Sequence, residues 1–355
     1  MNGRRFILSV KRRVISLGLS AFALSGLYRL TPSALRGCGV ILTLHRVRPW
    51  APETPGFSPN ALLEITPEFL DEALCLLRER GFQFVSLAEA VNRLSEPTAE
   101  RFVSLTFDDG YSDFTRYALP ILEKHGAPVT VFLSPGFIEG GAQLWWLQLE
   151  EAVRRLDCVV ADSGEALPAR DAREKAAVYE ALYWRLRALP EPELLEACQR
   201  LAAEAGVCDI ALRQDLFMGW DEVMGLARHP LVQIGAHSMT HVRLAQWPEA
   251  RARDEMARSR AELESRLSRP VAAFCYPVGD PTSAGAREFE LARELGFRIG
   301  VTTRPGMLFP EHATQTLALP RVSLNGLWQD RRSLDVLLSG APFWLWNRGQ
   351  RMNVA

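Results

Sequence analysis

The stretch SLTFDDGYSD, residues 104–113, runs from an apolar segment directly into two adjacent acids, Asp108 and Asp109, and then into Gly110. Two neighbouring carboxylates repel each other and resist burial, so their charge requires compensation. A metal ion, a basic side chain or plain solvent could supply it. Because a glycine follows at once, a solvated turn is the simplest alternative to a functional site.

The rest of the chain alternates apolar, β-branched segments with helical segments. Such alternation predicts an α/β fold with a parallel sheet or barrel. The strand-like segments are GVILTLHRV (39–47), FVSLTFDD (102–109), PVTVFLSP (128–135), LVQIGAHS (231–238), VAAFCYPVG (271–279), FRIGVTT (297–303) and LALPRVSL (317–324). The carboxyl ends of parallel strands share one face, so we expect the residues that follow these segments to lie near one another.

One long segment interrupts this alternation. From about residue 148 to residue 214 the sequence is rich in Ala, Leu, Glu and Arg, and REKAAVYEALYWRLRAL within it is strongly helical. We interpret the segment as a helical insertion over the barrel, serving either as extra packing or as a lid or substrate platform. The predicted organisation is therefore an N-terminal segment (1–38), a barrel (39–330) and a C-terminal tail (331–355).

Composition limits the partners and the compartment. The chain has 355 residues, 48% of them hydrophobic, which is ample for a large core. Its net charge of -1 provides no field that would recruit nucleic acid. The six cysteines form no C-x-x-C pair, and we interpret them as mostly buried free thiols, which favours a reducing compartment.

The N-terminal segment leaves three interpretations open. Five basic residues precede an uncharged run over residues 14–28, and they are Arg4, Arg5, Lys11, Arg12 and Arg13. The run is shorter than the roughly 20 residues of a spanning helix. It is a signal peptide, a basic amphipathic helix that makes peripheral contact with an anionic membrane, or a helix packed on the domain. We expect a location in the cytoplasm or on the inner face of the cytoplasmic membrane, with export as the alternative.

Two of the six histidines, His237 and His241, follow a predicted strand in IGAHSMTH. Their i, i+4 spacing places both imidazoles on one side of a helical turn, so that both nitrogens can reach one ion at about 2.0–2.1 Å. With Asp108 or Asp109 they make a set of two histidines and one carboxylate that leaves positions open for water. The remaining acid is then free to accept a proton from water.

A third histidine, His45, ends the first predicted strand in LTLHRV. A single histidine after an apolar strand is commonly structural, with hydrogen bonds to the backbone. On the face shared with the acids it could instead serve as a general acid.

Three of these motifs, TFDDGYSD, HSMTH and FCYPVGD, resemble motifs of the polysaccharide deacetylases, the NodB-homology or carbohydrate esterase family 4 enzymes. The similarity extends over roughly residues 40–322, apart from the insertion. The resemblance implies a distorted (β/α) barrel that removes acetyl groups from N-acetylated sugars with a divalent metal. The metal is usually zinc, with Co²⁺, Ni²⁺ and Mn²⁺ as alternatives.

The resemblance also implies roles for individual residues. Asp108 matches the catalytic base, and Asp109, His237 and His241 match the metal ligands. The backbone N–H of Tyr276 matches the donor that stabilises the oxyanion, because an amide's tetrahedral intermediate develops negative charge on oxygen.

Two departures from the family pattern concern the base and the acid. The arginine usual in the third motif is replaced by Phe274 and Cys275, and no late Leu-x-His motif is present. The chain instead resembles the circularly permuted branch, in which an early strand supplies the acid, as His45 would here. Arg321, in LPRVSL, either replaces the missing arginine and orients Asp108 or is a surface charge at a strand end.

The expected substrate is an acetylated amino-sugar polymer or oligosaccharide, of the exopolysaccharide or chitooligosaccharide type. The same site would also suit deformylation or deacetylation of a lipid-linked amino sugar, or hydrolysis of O-acetyl esters. An inactive sugar-binding barrel is the alternative outside enzymology. It differs from an enzyme in keeping its function when Asp108 is replaced by asparagine.

Overall fold

The computed structural model describes residues 18, 22–50, 56–96, 100–160 and 164–354, without the side chains of residues 214 and 215. The five basic residues of the N-terminal segment lie outside the described residues, and the three interpretations of that segment remain predictions. Within the described ranges, every helix is too short or too polar to span a lipid bilayer.

Seven parallel strands close into a barrel, which confirms the predicted α/β class. The strands are β1 Gly39–Leu44, β2 Arg46–Val47, β3 Glu64–Ile65, β4 Gln83–Phe84, β5 Phe102–Phe107, β6 Val129–Leu133, β7 Cys158–Val160, β8 Ala166–Pro168, β9 Val232–Ala236, β10 Ala273–Cys275, β11 Ile299–Pro305 and β12 Leu319–Ser323. Around the ring the order is β1, β12, β11, β10, β9, β6 and β5, and β5 pairs back with β1. Strand β4 pairs with the start of β5, and β2–β3 and β7–β8 form two small separate sheets.

Helices cover the barrel and form the insertion. They are α1 Ser33–Arg36, α2 Pro67–Glu79, α3 Leu87–Ser95, α4 Leu119–His125, α5 Pro135–Glu139, α6 Trp145–Arg155, α7 Ala172–Arg187, α8 Glu191–Glu204, α9 Asp209–Leu216, α10 Trp220–Leu226, α11 Glu249–Leu267, α12 Ala286–Glu294, α13 Arg331–Leu338 and α14 Ala341–Trp346. Helix α2 shows how the sequence sets an end: Thr66 Oγ1 accepts a hydrogen bond from the Phe69 N–H, and Pro67 takes the first helical position.

The strand register brings the strand ends to one face. Strands β1 and β5 pair over six positions, so His45 and Asp108 follow them side by side, and the Asp108 N–H donates to the Leu44 carbonyl at 2.9 Å. Strands β6 and β9 pair over five positions, and His237 follows directly after β9. The barrel thus converts residues that are distant in sequence into neighbours at its carboxyl-terminal mouth.

The insertion is a helical layer with its own core, built from α6 to α9. It also contains the β7–β8 hairpin, which the sequence analysis did not predict. Buried Lys175 donates hydrogen bonds to three carbonyls at the end of α6, those of Val153, Arg154 and Leu156. A cation at this position is favoured because the last carbonyls of a helix lack partners within it.

The expectation that the thiols are mostly buried needs correction. The predicted C-terminal tail, residues 331–355, contains the helices α13 and α14, which have buried residues. All six cysteines are free, yet Cys158 and Cys208 are exposed and only Cys198 and Cys275 are buried. The exposed pair lies in the insertion, where Cys158 is in the hairpin and Cys208 precedes α9.

Candidate metal centre and active site

The loops at the barrel mouth hold unusual backbone conformations. Asp109, Ser238, His241 and Val278 have φ angles of 74°, 58°, 57° and 61°, and they are four of the six non-glycine residues with positive φ among those described. Such conformations cost energy and concentrate at functional sites, where the surrounding structure enforces them. Gly110 also has positive φ, and a Cβ there would lie 2.6 Å from a leucine side chain of β6, so glycine is required.

Asp109, His237 and His241 converge at this mouth. The Asp109 Oδ1 atom lies 3.4 Å from His237 Nε2 and 3.3 Å from His241 Nε2. Asp109 and His237 are buried, with 4% and 2% of their surface exposed. The three groups therefore present one oxygen and two nitrogens to a common point.

The arrangement of these three atoms suits coordination of a divalent cation better than direct hydrogen bonding between the side chains. The buried Asp109 Oδ1 has no hydrogen-bond partner among the described residues, and an unsatisfied buried carboxylate oxygen is costly. A tetrahedral ion with bonds of 2.0–2.1 Å separates two of its ligand atoms by about 3.3 Å, which is close to the separations observed here. One carboxylate and two imidazoles form a donor set typical of catalytic zinc sites, because other positions stay open.

The surroundings of the two histidines orient them for this task. His237 Nδ1 lies 2.7 Å from the Cys275 carbonyl oxygen. A carbonyl only accepts, so Nδ1 carries a proton, and Nε2 is the nitrogen that faces Asp109 and is available to a cation. The His241 ring packs between Phe137 and Trp146, with centroid distances of 5.4 and 5.1 Å.

The second acid, Asp108, is held by a buried arginine. Arg321 Nη1 donates to Asp108 Oδ1 at 2.8 Å, and Nη2 donates to Oδ2 at 2.7 Å. The Arg321 side chain is fully buried and also donates to the Thr302 carbonyl and the Thr106 hydroxyl. Of the two readings of Arg321 from sequence, the structure thus contradicts the surface charge and provides the contact that an orienting role requires.

This contact keeps Asp108 ionised. Burial alone would raise the pKa of Asp108, but the charge and hydrogen bonds of Arg321 outweigh burial and lower the pKa to about 2. Thr43 Oγ1 donates a further hydrogen bond to Oδ2 at 3.2 Å. Asp108 is therefore an oriented carboxylate beside Asp109 and His237, with its charge compensated by a residue 213 positions away in sequence.

His45 lines the same cavity as Asp108, Asp109, His237 and His241. Burial lowers the pKa of His45, and the negative charges of Asp109 and Asp108 offset this only in part. Its ring is partly exposed to the cavity, a position from which it could transfer a proton to a bound molecule.

Tyr276, the predicted donor to the oxyanion, has both its backbone N–H and its hydroxyl engaged in other hydrogen bonds. Its backbone N–H donates to the Val301 carbonyl at 3.2 Å as part of the β10–β11 pairing, and its buried hydroxyl donates to the Leu317 carbonyl. The expectation that this N–H is free to bind an oxyanion is therefore not met. The sequence motif alone could not reveal the competing carbonyl, because Val301 comes from a different strand.

The site opens into a cavity of about 480 Å³ whose far wall belongs to the insertion. Aromatic side chains of α6 and α7 line this wall, and they are Trp145, Trp146, Tyr179, Tyr183 and Trp184. Tyr183 packs against Trp145 at 5.4 Å and against Trp184 at 5.1 Å between ring centroids. Arg187 ends the wall and pairs with Asp280 at 3.2 Å. We call these residues the aromatic wall.

The sequence pattern did not predict that the aromatic wall, Thr43 and the Cys275 carbonyl belong to the site. The run YEALYWRLR did show tyrosine and tryptophan at helical spacing, but such a pattern usually indicates packing. No local signal marks Thr43 or Cys275, because both reach the site through strand pairing.

Among the described residues, the closed parallel barrel brings together two imidazoles, a carboxylate oxygen without a hydrogen-bond partner and a carboxylate held by an arginine at its strand ends. These groups could hold a metal ion and activate water. A family model described as polysaccharide deacetylase matches residues 95–300, and the chain belongs to this family. The family resemblance of the three motifs is thereby confirmed. The circularly permuted branch stays a prediction.

Individual relatives agree with this assignment. The chain is 21% identical over 249 residues to "Putative polysaccharide deacetylase YxkH" of Bacillus subtilis, a match that covers 70% of this chain and 61% of the relative. It is 40% identical over 68 residues to a poly-beta-1,6-N-acetyl-D-glucosamine N-deacetylase of Escherichia coli, covering 19% of this chain and 10% of the relative. The chain thus spans less than two thirds of the length of these curated relatives.

Solved structures show the same fold. The Streptococcus pyogenes deacetylase PplD, solved in complex with acetate, aligns with a TM-score of 0.54 and 20% identity, covering 81% of this chain and 92% of PplD. IcaB from Ammonifex degensii aligns with a TM-score of 0.53 and 18% identity, covering 86% of this chain and 97% of IcaB. These alignments confirm the expected distorted (β/α) barrel of the NodB type.

Proposed function

We propose that this protein is a metal-dependent hydrolase that removes N-acetyl groups from an amino-sugar polymer or oligosaccharide. The observation that carries the proposal is the pairing of two different carboxylates at one mouth. Asp109 has an unpartnered oxygen facing two imidazoles, whereas Asp108 is fixed beside it by Arg321. Asp109 is placed to bind a cation, and Asp108 is placed to accept a proton.

Asp109, His237 and His241 would hold the metal. Zn²⁺ fits the donor set best, and Co²⁺, Ni²⁺ and Mn²⁺ accept the same ligands. When bound, the metal supplies Lewis-acid polarisation of the acetyl carbonyl and of the attacking water.

The remaining chemistry belongs to the side chains. Asp108 accepts a proton from water as its oxygen attacks the acetyl carbon, and Arg321 and Thr43 hold the carboxylate in place. For this step His45 must carry a proton on both ring nitrogens, a charge that burial opposes and that the nearby Asp109 and Asp108 favour. The imidazolium then donates a proton to the amide nitrogen as the C–N bond breaks. The immediate products are acetic acid, which ionises to acetate, and the free amine of the sugar. Asp108 then releases the proton that it took from water and His45 regains one from solvent, which restores both side chains.

The cavity supports a carbohydrate substrate. Its volume of about 480 Å³ lies within the range usual for ligand pockets, 300–1,000 Å³. Tyr183 and Trp184 offer flat faces on which sugar rings can stack, and Arg187 with Asp280 offers polar groups for hydroxyls. Because the matched E. coli relative is named for poly-β-1,6-N-acetyl-D-glucosamine, oligomers of that polymer are the first substrates to test.

The decisive experiment compares a substitution of the proposed base with the same substitution at an exposed aspartate. We expect purified protein to contain one divalent metal and to release acetate from N-acetylglucosamine oligomers. Asp108→Asn should retain the metal and lower the rate about 10²–10⁴-fold, because a general base is lost. Asp221→Asn, an exposed aspartate on α10, is the matched control and should change neither quantity.

Unchanged turnover in Asp108→Asn would overturn the proposed mechanism. Absence of metal and of acetate release from the wild type would instead favour the inactive sugar-binding barrel. Parallel assays on O-acetylated sugars and on lipid-linked amino sugars, with formate measured beside acetate, separate the remaining alternatives.

A further inference from the structure

The barrel has a second charged end, opposite to the metal centre. Arg36 and Arg101 lie just before β1 and β5, whereas His45 and Asp108 lie just after the same strands. Each of these strands has six residues, which corresponds to about 20 Å of extended chain. Groups at the strand starts therefore lie a full barrel length from the catalytic mouth.

A cavity of about 310 Å³ at this end is lined by four arginines, Arg29, Arg36, Arg80 and Arg101. Among the described residues that line it, Asp335 is the one carboxylate. Arg80 occupies both oxygens of that carboxylate through hydrogen bonds of 2.6 Å. The lining therefore carries a surplus of three positive charges.

Arg101 shows the cost of this surplus. Its Nη2 donates to the carbonyls of Arg36 and Leu338, but its buried Nε has no partner among the described residues. Burial, followed by repulsion from Arg36, lowers the pKa of Arg101 to about 10. An anion in this cavity would relieve the repulsion between Arg36 and Arg101, and the planar guanidinium is well suited to phosphate.

Apolar side chains surround the arginine cavity. Six of the eleven large hydrophobic residues that are exposed in the described part of the chain lie in two segments beside it, and they are Leu24, Leu27, Leu30, Trp344, Leu345 and Trp346. The segments are held together, since Tyr28 donates to Asp335 and a Cβ on Gly340 would meet the Leu35 carbonyl at 2.0 Å. Exposed apolar groups in one region indicate an interaction surface.

Both ends of the sequence are basic. Residues 1–38 and 339–355 contain nine of the 41 lysines and arginines and none of the 42 acidic residues. The whole chain has a net charge of -1, so positive charge is concentrated at the two ends of the sequence. We call residues 24–36, Arg80, Arg101 and residues 335–346 the basal surface.

We propose that the basal surface binds an anionic phospholipid bilayer, with a lipid phosphate in the arginine cavity and the exposed leucines and tryptophans in the headgroup region. Basic residues attract anionic lipids, and tryptophan is favoured at the boundary between water and hydrocarbon. The catalytic mouth then faces away from the bilayer. A bound enzyme would thus meet its substrate from the aqueous side.

Vesicle flotation of the full chain tests this proposal. We expect binding to vesicles of phosphatidylcholine with phosphatidylglycerol, release at high salt, and little binding to vesicles of phosphatidylcholine alone. Arg29→Glu should weaken binding about tenfold or more, because it reverses one charge in the cavity lining. Leu30→Ser should weaken binding roughly tenfold through lost apolar burial.

The matched controls lie in the insertion, at the opposite end of the barrel. Arg173→Glu on α7 and Ile210→Ser on α9 change an exposed arginine and an exposed aliphatic residue in the same way. Both controls should bind vesicles as the wild type does. Thermal unfolding and acetate release should be the same for all four variants, because each altered side chain is exposed.

Three outcomes would overturn the proposal. The first is equal binding to both kinds of vesicle, or no binding to either. The second is wild-type binding by Arg29→Glu and Leu30→Ser, which would assign any affinity to residues 1–17. The third is binding of inorganic phosphate in the cavity by a protein that does not bind vesicles, which would indicate a soluble anion as the occupant.

Discussion

The two ends of the barrel carry charge of opposite sign: carboxylates lie at the mouth and arginines at the base. At the mouth, Asp108 and Asp109 bring two negative charges together in a buried site, and one is neutralised by Arg321 while the other keeps an unpartnered oxygen. At the base, four arginines share one carboxylate, and the site is open to solvent. Charge that a fold leaves uncompensated indicates a ligand of opposite sign, a cation at the mouth and an anion at the base.

The comparison also separates what each end can do. Buried groups at the mouth are fixed by hydrogen bonds in the barrel interior, and catalysis requires such precise placement of the reacting groups. Groups at the base are surrounded by exposed leucine and tryptophan, as adsorption to a surface requires. If the basal surface binds a bilayer as proposed, the mouth faces away from that bilayer. That orientation would disfavour a substrate anchored in the same bilayer and favour a polymer that reaches the mouth through water.

Removing the metal should have the largest effect and should leave the base untouched. Asp109→Asn removes the charged ligand between the two imidazoles, so we expect loss of bound metal and of acetate release to background. Elemental analysis and the acetate assay measure both quantities. Vesicle binding by the same variant should equal that of the wild type, and a parallel loss would mean that the two ends are not independent.

Replacing His45 should come next, with an effect that depends on the leaving group. His45→Ala should slow hydrolysis of an N-acetyl sugar about 10²–10⁴-fold, because an amine leaves only when it is protonated. An aryl acetate with an acidic phenol needs no such proton and should lose much less. Equal losses on the two substrates would contradict the role of His45 as the acid.

Arg321→Met should lower the free energy of unfolding of the barrel. Breaking a buried ion pair leaves Asp108 charged and unpaired, which costs about 3–5 kcal/mol of unfolding free energy. Urea denaturation measures this quantity in the metal-free protein. Arg258→Met is the matched control, since its side chain is 58% exposed and its ion pair with Asp254 should contribute no more than about 1 kcal/mol.

A result for Arg321→Met that resembles Arg258→Met would mean that Asp108 does not depend on the arginine. The acetate assay adds an independent check. Loss of an orienting partner should lower activity roughly 10–100-fold even where the variant is fully folded.

The sequence predicted those parts of the site that lie within one motif. Asp108, Asp109, His237 and His241 each follow a strand that its own apolar residues specify, and parallel pairing alone brings strand ends together. His45 is placed by the same rule. The sequence was therefore sufficient to predict that these residues lie together at the mouth. It did not determine from the residues alone which of the two acids faces the histidines.

The remaining parts depend on pairing over long sequence distances. Arg321 meets Asp108 only because β12 and β5 both flank β1, and two readings of Arg321 were equally consistent with its local sequence. The Tyr276 N–H was assigned from a motif, but β11 supplies a carbonyl that competes for it. The basal surface combines the two chain ends, and no local pattern indicates that they meet.

The smallest predicted effect compares two tryptophans of similar exposure at the two ends. Trp184 in the aromatic wall is 37% exposed, and Trp344 on the basal surface is 40% exposed. Trp184→Ala should raise KM for an N-acetylglucosamine oligomer about 2- to 10-fold with little change in kcat, because a sugar ring loses one stacking face. Trp344→Ala should leave KM unchanged and weaken vesicle binding instead. Both variants should be tested by steady-state kinetics and by vesicle flotation. If Trp184→Ala weakened vesicle binding and Trp344→Ala raised KM, the proposed roles of the two ends would be wrong.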